Sequence, residues 1–246
     1  AVYDGEVHCW GPIDSYRPWT TATSGALAVG HEFACTSDVF GRVFCSGRND
    51  LGQADGPLDF FGEVAAGDGH VCALDDGAVV CWGDDTYGQA TPPELEGQFS
   101  VAAGSAHTCS HTEEGEVTCW GDDSSGQATP VGLVGTVTSL AAGRDHSCAV
   151  DGGELTCWGD DTYGQSTPPS GTDWVVVQTG DFHSCALDEE GLVSCWGLDN
   201  WGQASAAPYQ HFTELALGEE HSCGLKTDRL VSCWGRSLEG QTTPAL

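Results

Sequence analysis

AAGDGHVCALDDGAVVCWGDDTYGQATPP, residues 65–93, sets short runs rich in β-branched and aromatic residues between turn residues. HVCAL and AVVCWG have the length and composition of strands, and Asp-Gly, Gly-Gln and Pro-Pro punctuate them. Nothing in the stretch has the period of a helix. The same unit returns as AAGSAHTCSHTEEGEVTCWGDDSSGQATP at 102–130 and as AAGRDHSCAVDGGELTCWGDDTYGQSTPP at 141–169. Cys-Trp-Gly or a close variant begins at Cys9, Cys45, Cys81, Cys119, Cys157, Cys195 and Cys233, in steps of 36, 36, 38, 38, 38 and 38 residues.

A period of about 37 residues carrying short strands and an aromatic-glycine signature fits one blade of a β-propeller. An α-solenoid of that period needs helical stripes, which are absent. The sequence therefore predicts an all-β, seven-bladed β-propeller over 1–246, with one hairpin disulfide per complete blade. The motif tryptophans Trp10, Trp82, Trp120, Trp158, Trp196 and Trp234 are expected to pack between blades, and Ser46 replaces Trp in the second copy.

The cysteines fix the strand register. If Cys72 and Cys81 are directly opposed, Ala73 faces Val80, Leu74 faces Val79, and the loop is Asp76-Gly77, a preferred two-residue hairpin turn. Cys148 and Cys157 give Gly152-Gly153 in the same way. Pairs one residue further apart give the loops Val39-Phe40-Gly41, Glu113-Glu114-Gly115 and Glu189-Glu190-Gly191, with glycine at the position where a bulge needs positive φ. Thr227-Asp228-Arg229 lacks that glycine, so strain or a different turn is expected there. Opposed residues lie within disulfide range. Six bridges follow: Cys35–Cys45, Cys72–Cys81, Cys109–Cys119, Cys148–Cys157, Cys185–Cys195 and Cys223–Cys233. Zinc needs four converging ligands, and these pairs sit on successive blades. Cys9 is unpaired in this chain, because Asp4-Gly5 as its turn places the partner before Ala1. The first blade thus lacks its initial strands, either truncated or supplied by another segment, and self-association through the incomplete blade is one reading. The chain opens without Met or a leader, as a processed chain or a fragment does.

Composition narrows the function. The 246 residues carry 37 Asp+Glu against 7 Lys+Arg, a formal net charge of −30. Such a surface repels nucleic acid and anionic membranes and attracts basic partners. No apolar run reaches the length of a membrane span. Cystines place the chain in an oxidising compartment, extracellular or on a cell surface.

The unit G-x-x-H-[ST]-C-A-L…D-G-x-V-x-C-W-G-x-[DN]-x-x-G-Q resembles the regulator of chromosome condensation repeat, in its cystine-containing variant from secreted bacterial proteins and crinkly-type plant receptor kinases. The resemblance covers essentially the whole chain. It implies a seven-bladed propeller whose faces bind other proteins. The family includes a nucleotide exchanger for a nuclear GTPase and a secreted β-lactamase inhibitor. The chain's acidity and cystines fit neither chromatin binding nor a nuclear role.

Repeat positions carry the scaffold. His70, His107, His146, His183 and His221 recur at one position, with Phe33 in their place in the second copy, and are read as satisfying backbone groups at a strand start. The pairs Asp84-Asp85, Asp122-Asp123 and Asp160-Asp161, with Asp199-Asn200 in the sixth copy, are read as turn formers, with weak calcium binding as the alternative. Thr91, Thr129, Thr167 and Thr243 precede proline in extended linkers and could accept O-glycans. Binding chemistry is expected where copies differ. Two sets do: the residues between Gly and His (Glu32, Asp68, Arg144, Asp145, Asp181, Phe182, Glu219, Glu220), and the residue before Gly-Gln (Tyr87, Tyr163, Trp201). Aromatics amid acids are typical of interface hot spots. No G-x-S-x-G, H-E-x-x-H or Asp-box motif marks an enzyme, and no cofactor is implied. The expected function is a non-enzymatic extracellular scaffold that binds another protein, one with a basic surface, through its face loops. The alternatives are a structural or adhesive filament component and a glycan- or calcium-dependent binding module.

Overall fold

The computed structural model describes residues 26–38, 40–57, 59–205 and 210–244, together with the backbone of two short strands, Val2–Tyr3 and Glu6–Val7. Among the described residues every regular element is a strand, and no helix is long and apolar enough to cross a membrane. The strands form six three-stranded antiparallel sheets and one two-stranded pair. Each three-stranded sheet is one blade. Blade one holds Leu27–Gly30, Phe33–Ser37 and Val43–Gly47; blade two holds Glu63–Ala66, His70–Asp75 and Ala78–Gly83. Blade three holds Gln98–Ala103, His107–Thr112 and Val117–Gly121; blade four holds Val137–Ala142, His146–Asp151 and Glu154–Gly159. Blade five holds Trp174–Thr179, His183–Asp188 and Val193–Gly197; blade six holds Phe212–Leu217, His221–Lys226 and Val231–Gly235.

The blade count is therefore six among the described residues, not the seven expected. The first copy contributes the pair Val2↔Val7 and Tyr3↔Glu6. Cys9 and Trp10 lie outside the described residues.

The first strand of each blade faces the axis, and these inner strands line a central cavity of about 440 Å³. The middle strand is the most buried; in blade four every residue from His146 to Asp151 is buried. The register matches the cysteine argument: Cys72 opposes Cys81, Ala73 opposes Val80 and Leu74 opposes Val79. All six disulfides are present as expected.

Turn chemistry explains the spacing. Asp76 (φ 49°) and Gly77 (φ 85°) both take the left-handed conformation that the two-residue turn demands. In the three-residue loops Gly41, Gly115 and Gly191 have φ of 87°, 89° and 79°, and Arg229 takes the same place at 68°. The Thr227–Arg229 loop is thus the same turn made with a strained residue, and Asp228 supports it by accepting from Leu230 N–H at 3.0 Å.

Candidate functional site: the loop face

One end of the propeller is built by the joints between blades. Thr108 of blade three donates its hydroxyl to the Gln89 carbonyl at 3.0 Å. Trp120 Nε1 donates to the same carbonyl at 3.0 Å. The Thr108 oxygen then accepts from His70 Nε2 of blade two at 2.8 Å. The joint repeats as His107–Ser147–Gln127 with Trp158, His146–Ser184–Gln165 with Trp196 and His183–Ser222–Gln203 with Trp234. The motif tryptophans among the described residues do pack between blades. His70, His107, His146 and His183 differ from expectation: their ring nitrogen donates to a hydroxyl on the next blade, not to local backbone. Because the hydroxyl already donates to a carbonyl, the ring proton sits on Nε2. Where Phe33 replaces His, the facing residue is Val71, so that joint is apolar on both sides.

The glycine of G-x-x-H completes the joint. A Cβ on Gly104 would strike both the His107 ring and the Gly143 carbonyl of the next blade. This packing leaves His70, His107, His146 and His183 with no exposed surface. Burial pushes His70, His146 and His183 down to about 4 and His107 to about 3.

The buried glutamine side chain holds the loop that follows Cys-Trp-Gly. Gln89 Oε1 accepts from Tyr87 N–H at 2.8 Å, and its Nε2 donates to Asp84 Oδ2 at 3.0 Å. Gln165 binds Tyr163 N–H and Asp160 in the same way. The second acid closes the loop: Asp85 accepts from Ala90 N–H at 2.9 Å and from Thr91 Oγ1 at 2.7 Å. Asp123 and Asp161 repeat this with Thr129 and Thr167. The sixth copy is corrected by the same bonds. Asp199 accepts from Ala204 N–H at 2.8 Å and so aligns with Asp85, while Leu198 stands in the place of the first acid. Carboxylates at Asp84, Asp85, Asp122, Asp123, Asp160 and Asp161 are thus engaged within their own loops. Among the described residues no three His, Cys, Asp or Glu side chains converge as a metal-ligand set.

Backbone bonds from the post-motif loop to the G-x-x-H loop put both variable sets on one face. Asp84 N–H donates to Gly69, Asp160 N–H to Asp145, Leu198 N–H to Phe182 and Arg236 N–H to Glu220. Contacts then cross between blades. Tyr163 of one copy meets Phe182 of the next edge-on, centroids 5.5 Å apart. Trp201 Nε1 donates to Glu220 at 3.2 Å. The face is exposed: Tyr87 at 58%, Tyr163 and Trp201 at 49% each. Glu32, Asp68, Arg144 and Glu219 are exposed as well, and Asp145, Asp181, Phe182 and Glu220 are half-buried.

Charge on this face is lopsided. Arg144 lies 3.5 Å from both Asp145 and Asp181 and 5.5 Å over the Phe182 ring. Arg236 pairs with Glu220 at 2.6 Å, with its guanidinium 5.9 Å from the Trp201 ring. Burial, with Asp68 and Glu219 nearby, pushes the Asp181 carboxyl up to about 6 against the pull of Arg144. Burial also raises Asp145. The face can therefore offer aromatic rings flanked by carboxylates, a combination that two of the protein's own guanidinium groups already occupy.

Comparison with known proteins agrees with this architecture. The family model described as "Regulator of chromosome condensation (RCC1) repeat" matches residues 63–89, 100–127, 137–165, 174–203 and 212–241. These matches cover more than half of the chain and omit the two N-terminal copies. No curated protein sequence matches. Among solved structures, the ectodomain of the Physcomitrella patens receptor kinase CR4 is similar at 26% identity and TM-score 0.74, over 89% of this chain and 65% of that one. The chain thus spans under two thirds of that ectodomain. The CRINKLY WD40 ectodomain of the Arabidopsis thaliana receptor kinase ACR4 is similar at 27% identity and TM-score 0.70, over 85% of this chain and 80% of that one. Yeast RCC1 (Prp20), solved with Kap60 bound, shares the fold at 18% identity and TM-score 0.72, over 87% of this chain and 70% of that one.

Proposed function

Because the chain belongs to the regulator of chromosome condensation repeat family, we propose that it is a non-enzymatic, extracellular propeller that binds another protein across its loop face. One observation carries this reading. The residues that differ between copies gather on one face, where Tyr87, Tyr163 and Trp201 stand half exposed among carboxylates. Rigid aromatics in such surroundings are the residues that dominate binding energy at protein interfaces. The lopsided charge favours a partner with a basic surface. Six cystines and the likeness to receptor ectodomains support a place outside the cell. The two-stranded pair formed by the first copy is read as part of a seventh blade, since Tyr3↔Glu6 leaves the two-residue connection seen in blade two. A calcium-dependent module is the weaker reading, because the loop carboxylates already serve as hydrogen-bond acceptors.

The test is affinity capture on the immobilised chain from secreted and surface proteins of its source, with a salt-step elution. A single stoichiometric foreign protein, lost when Tyr87, Tyr163 and Trp201 are all changed to Ser, is the expected outcome. Recovery of the chain itself, or of nothing, would move the reading to a structural or adhesive role.

A further inference from the structure

At the end of the central cavity opposite the loop face, blade three departs from the repeat. Its middle strand carries His111 where four of the other blades have Leu74, Val150, Leu187 and Leu225. His111 is only 2% exposed, yet it lines the cavity. Its Nδ1 donates to the Thr112 carbonyl at 2.8 Å, and in that tautomer Nε2 is an acceptor, which no hydrogen-bond partner meets.

Two further groups line the cavity with it. The ladder shifts between His111↔Ser100 and Thr112↔Gln98, so Phe99 is a bulged residue turned out of the sheet. Phe99 is 61% exposed, lines the same cavity and lies 5.8 Å from the His111 ring. Glu63 of blade two also lines the cavity and accepts from Ser100 Oγ at 3.0 Å. Its burial pushes the carboxyl above the usual range, with the Ser100 hydroxyl opposing.

We propose that this end of the channel binds an aliphatic primary ammonium group, held by the Glu63 carboxylate, the His111 Nε2 lone pair and the face of Phe99. An ammonium has three N–H donors and no acceptor, and it matches a carboxylate, an unprotonated imidazole nitrogen and an aromatic face. The cation also compensates the buried acid. Two sources supply this chemistry, a free polyamine or a lysine side chain of a protein partner. None of the three residues belongs to the loop set, so the site stands or falls apart from the loop-face reading.

Calorimetric titration of the whole chain with putrescine and with an end-capped lysine peptide tests the site. One-to-one binding is expected, weakened by about tenfold or more in Glu63→Gln and in His111→Leu, the loss of a single ion pair or acceptor. His111→Leu installs the residue that other blades carry there, so folding is retained. Glu94→Gln, which makes the same charge change on the exterior, should leave affinity unchanged. Tighter binding of putrescine or of the peptide identifies the source. Equal binding to the parent, Glu63→Gln and His111→Leu, or no binding at millimolar amine, overturns the proposal.

Discussion

The joint between blades three and four offers a test by substitution in pairs. His107 donates to Ser147 at 2.8 Å, Ser147 donates to Gln127 at 3.1 Å, and all three side chains are fully buried. Changing Ser147 to Val orphans the His107 N–H, at a cost of about 1–3 kcal/mol. Gln127 keeps the Trp158 donor at 2.9 Å, so no carbonyl is stranded. The larger valine adds about 1 kcal/mol of crowding against the histidine. His107→Phe leaves the Ser147 hydroxyl bonded to Gln127 but sets its lone pairs against a ring, for about 1–2 kcal/mol. The double change recreates the Phe33–Val71 joint, which the protein already uses between blades one and two. It should cost about 1 kcal/mol, a coupling of about 2–5 kcal/mol between the two sites. Denaturant unfolding at neutral pH, with cystines intact and tryptophan fluorescence as probe, measures all four forms. If the double variant loses the sum of the single losses, the two residues do not act as a pair and the reading of the joint is wrong.

Two more outcomes follow from the same geometry. The folded pKa values of His70, His107, His146 and His183 lie at about 3 to 4, below the ordinary 6.5 that the unfolded chain regains. The unfolded state therefore takes up protons first, and stability is lost as pH falls from about 6.5 towards 4, by roughly 3 kcal/mol for each buried ring. Asp181 works the other way between about 6 and its ordinary 3.8, and the raised Asp145 and Glu63 act in the same sense, but the four fully buried rings outweigh them. Melting temperatures should fall steeply from pH 6.5 to 4, and a flat profile would contradict the buried neutral rings. Arg229→Gly relieves a left-handed residue at φ 68°, and thermal unfolding should show about 0.5–1 kcal/mol of added stability; unchanged or lower stability would show that the turn is not strained.

Much of this fold was legible because the repeat reports on itself. The cystine register could be read because loop length and cysteine spacing vary together, and strand pairing makes that relation obligatory. The strain at Arg229 was visible as a missing glycine. The histidine joints were misread because each partner lies on the next blade, 38 to 40 residues away. A signal was present all the same: Thr108, Ser147, Ser184 and Ser222 each follow a histidine, and Val71 faces the one phenylalanine. The sixth-copy acids were misaligned because Asp-Asn looks like Asp-Asp until the bond from Ala204 fixes the register. The two variable sets occupy separate positions in the repeat. They interleave, since the residue before Gly-Gln reaches the G-x-x-H loop of the following copy. Phe99 was missed because a bulge changes which way a side chain points, and sequence alternation gives no warning of it.

The placement of the cystines has a mechanical consequence. Every bridge joins residues 9 or 10 apart within one hairpin, and none among the described residues joins one blade to another. Under a pulling force the seams between blades are the yielding element, and each blade would come away as a unit with its hairpin still clasped. Reduction would lengthen each release by roughly 30 Å, the contour of the freed loop. The molecule is thus a chain of links, each clasped covalently within itself and strung on one polypeptide, whose described seams are held shut without a cystine by packing, hydrogen bonds and the Arg144–Asp181 ion pair.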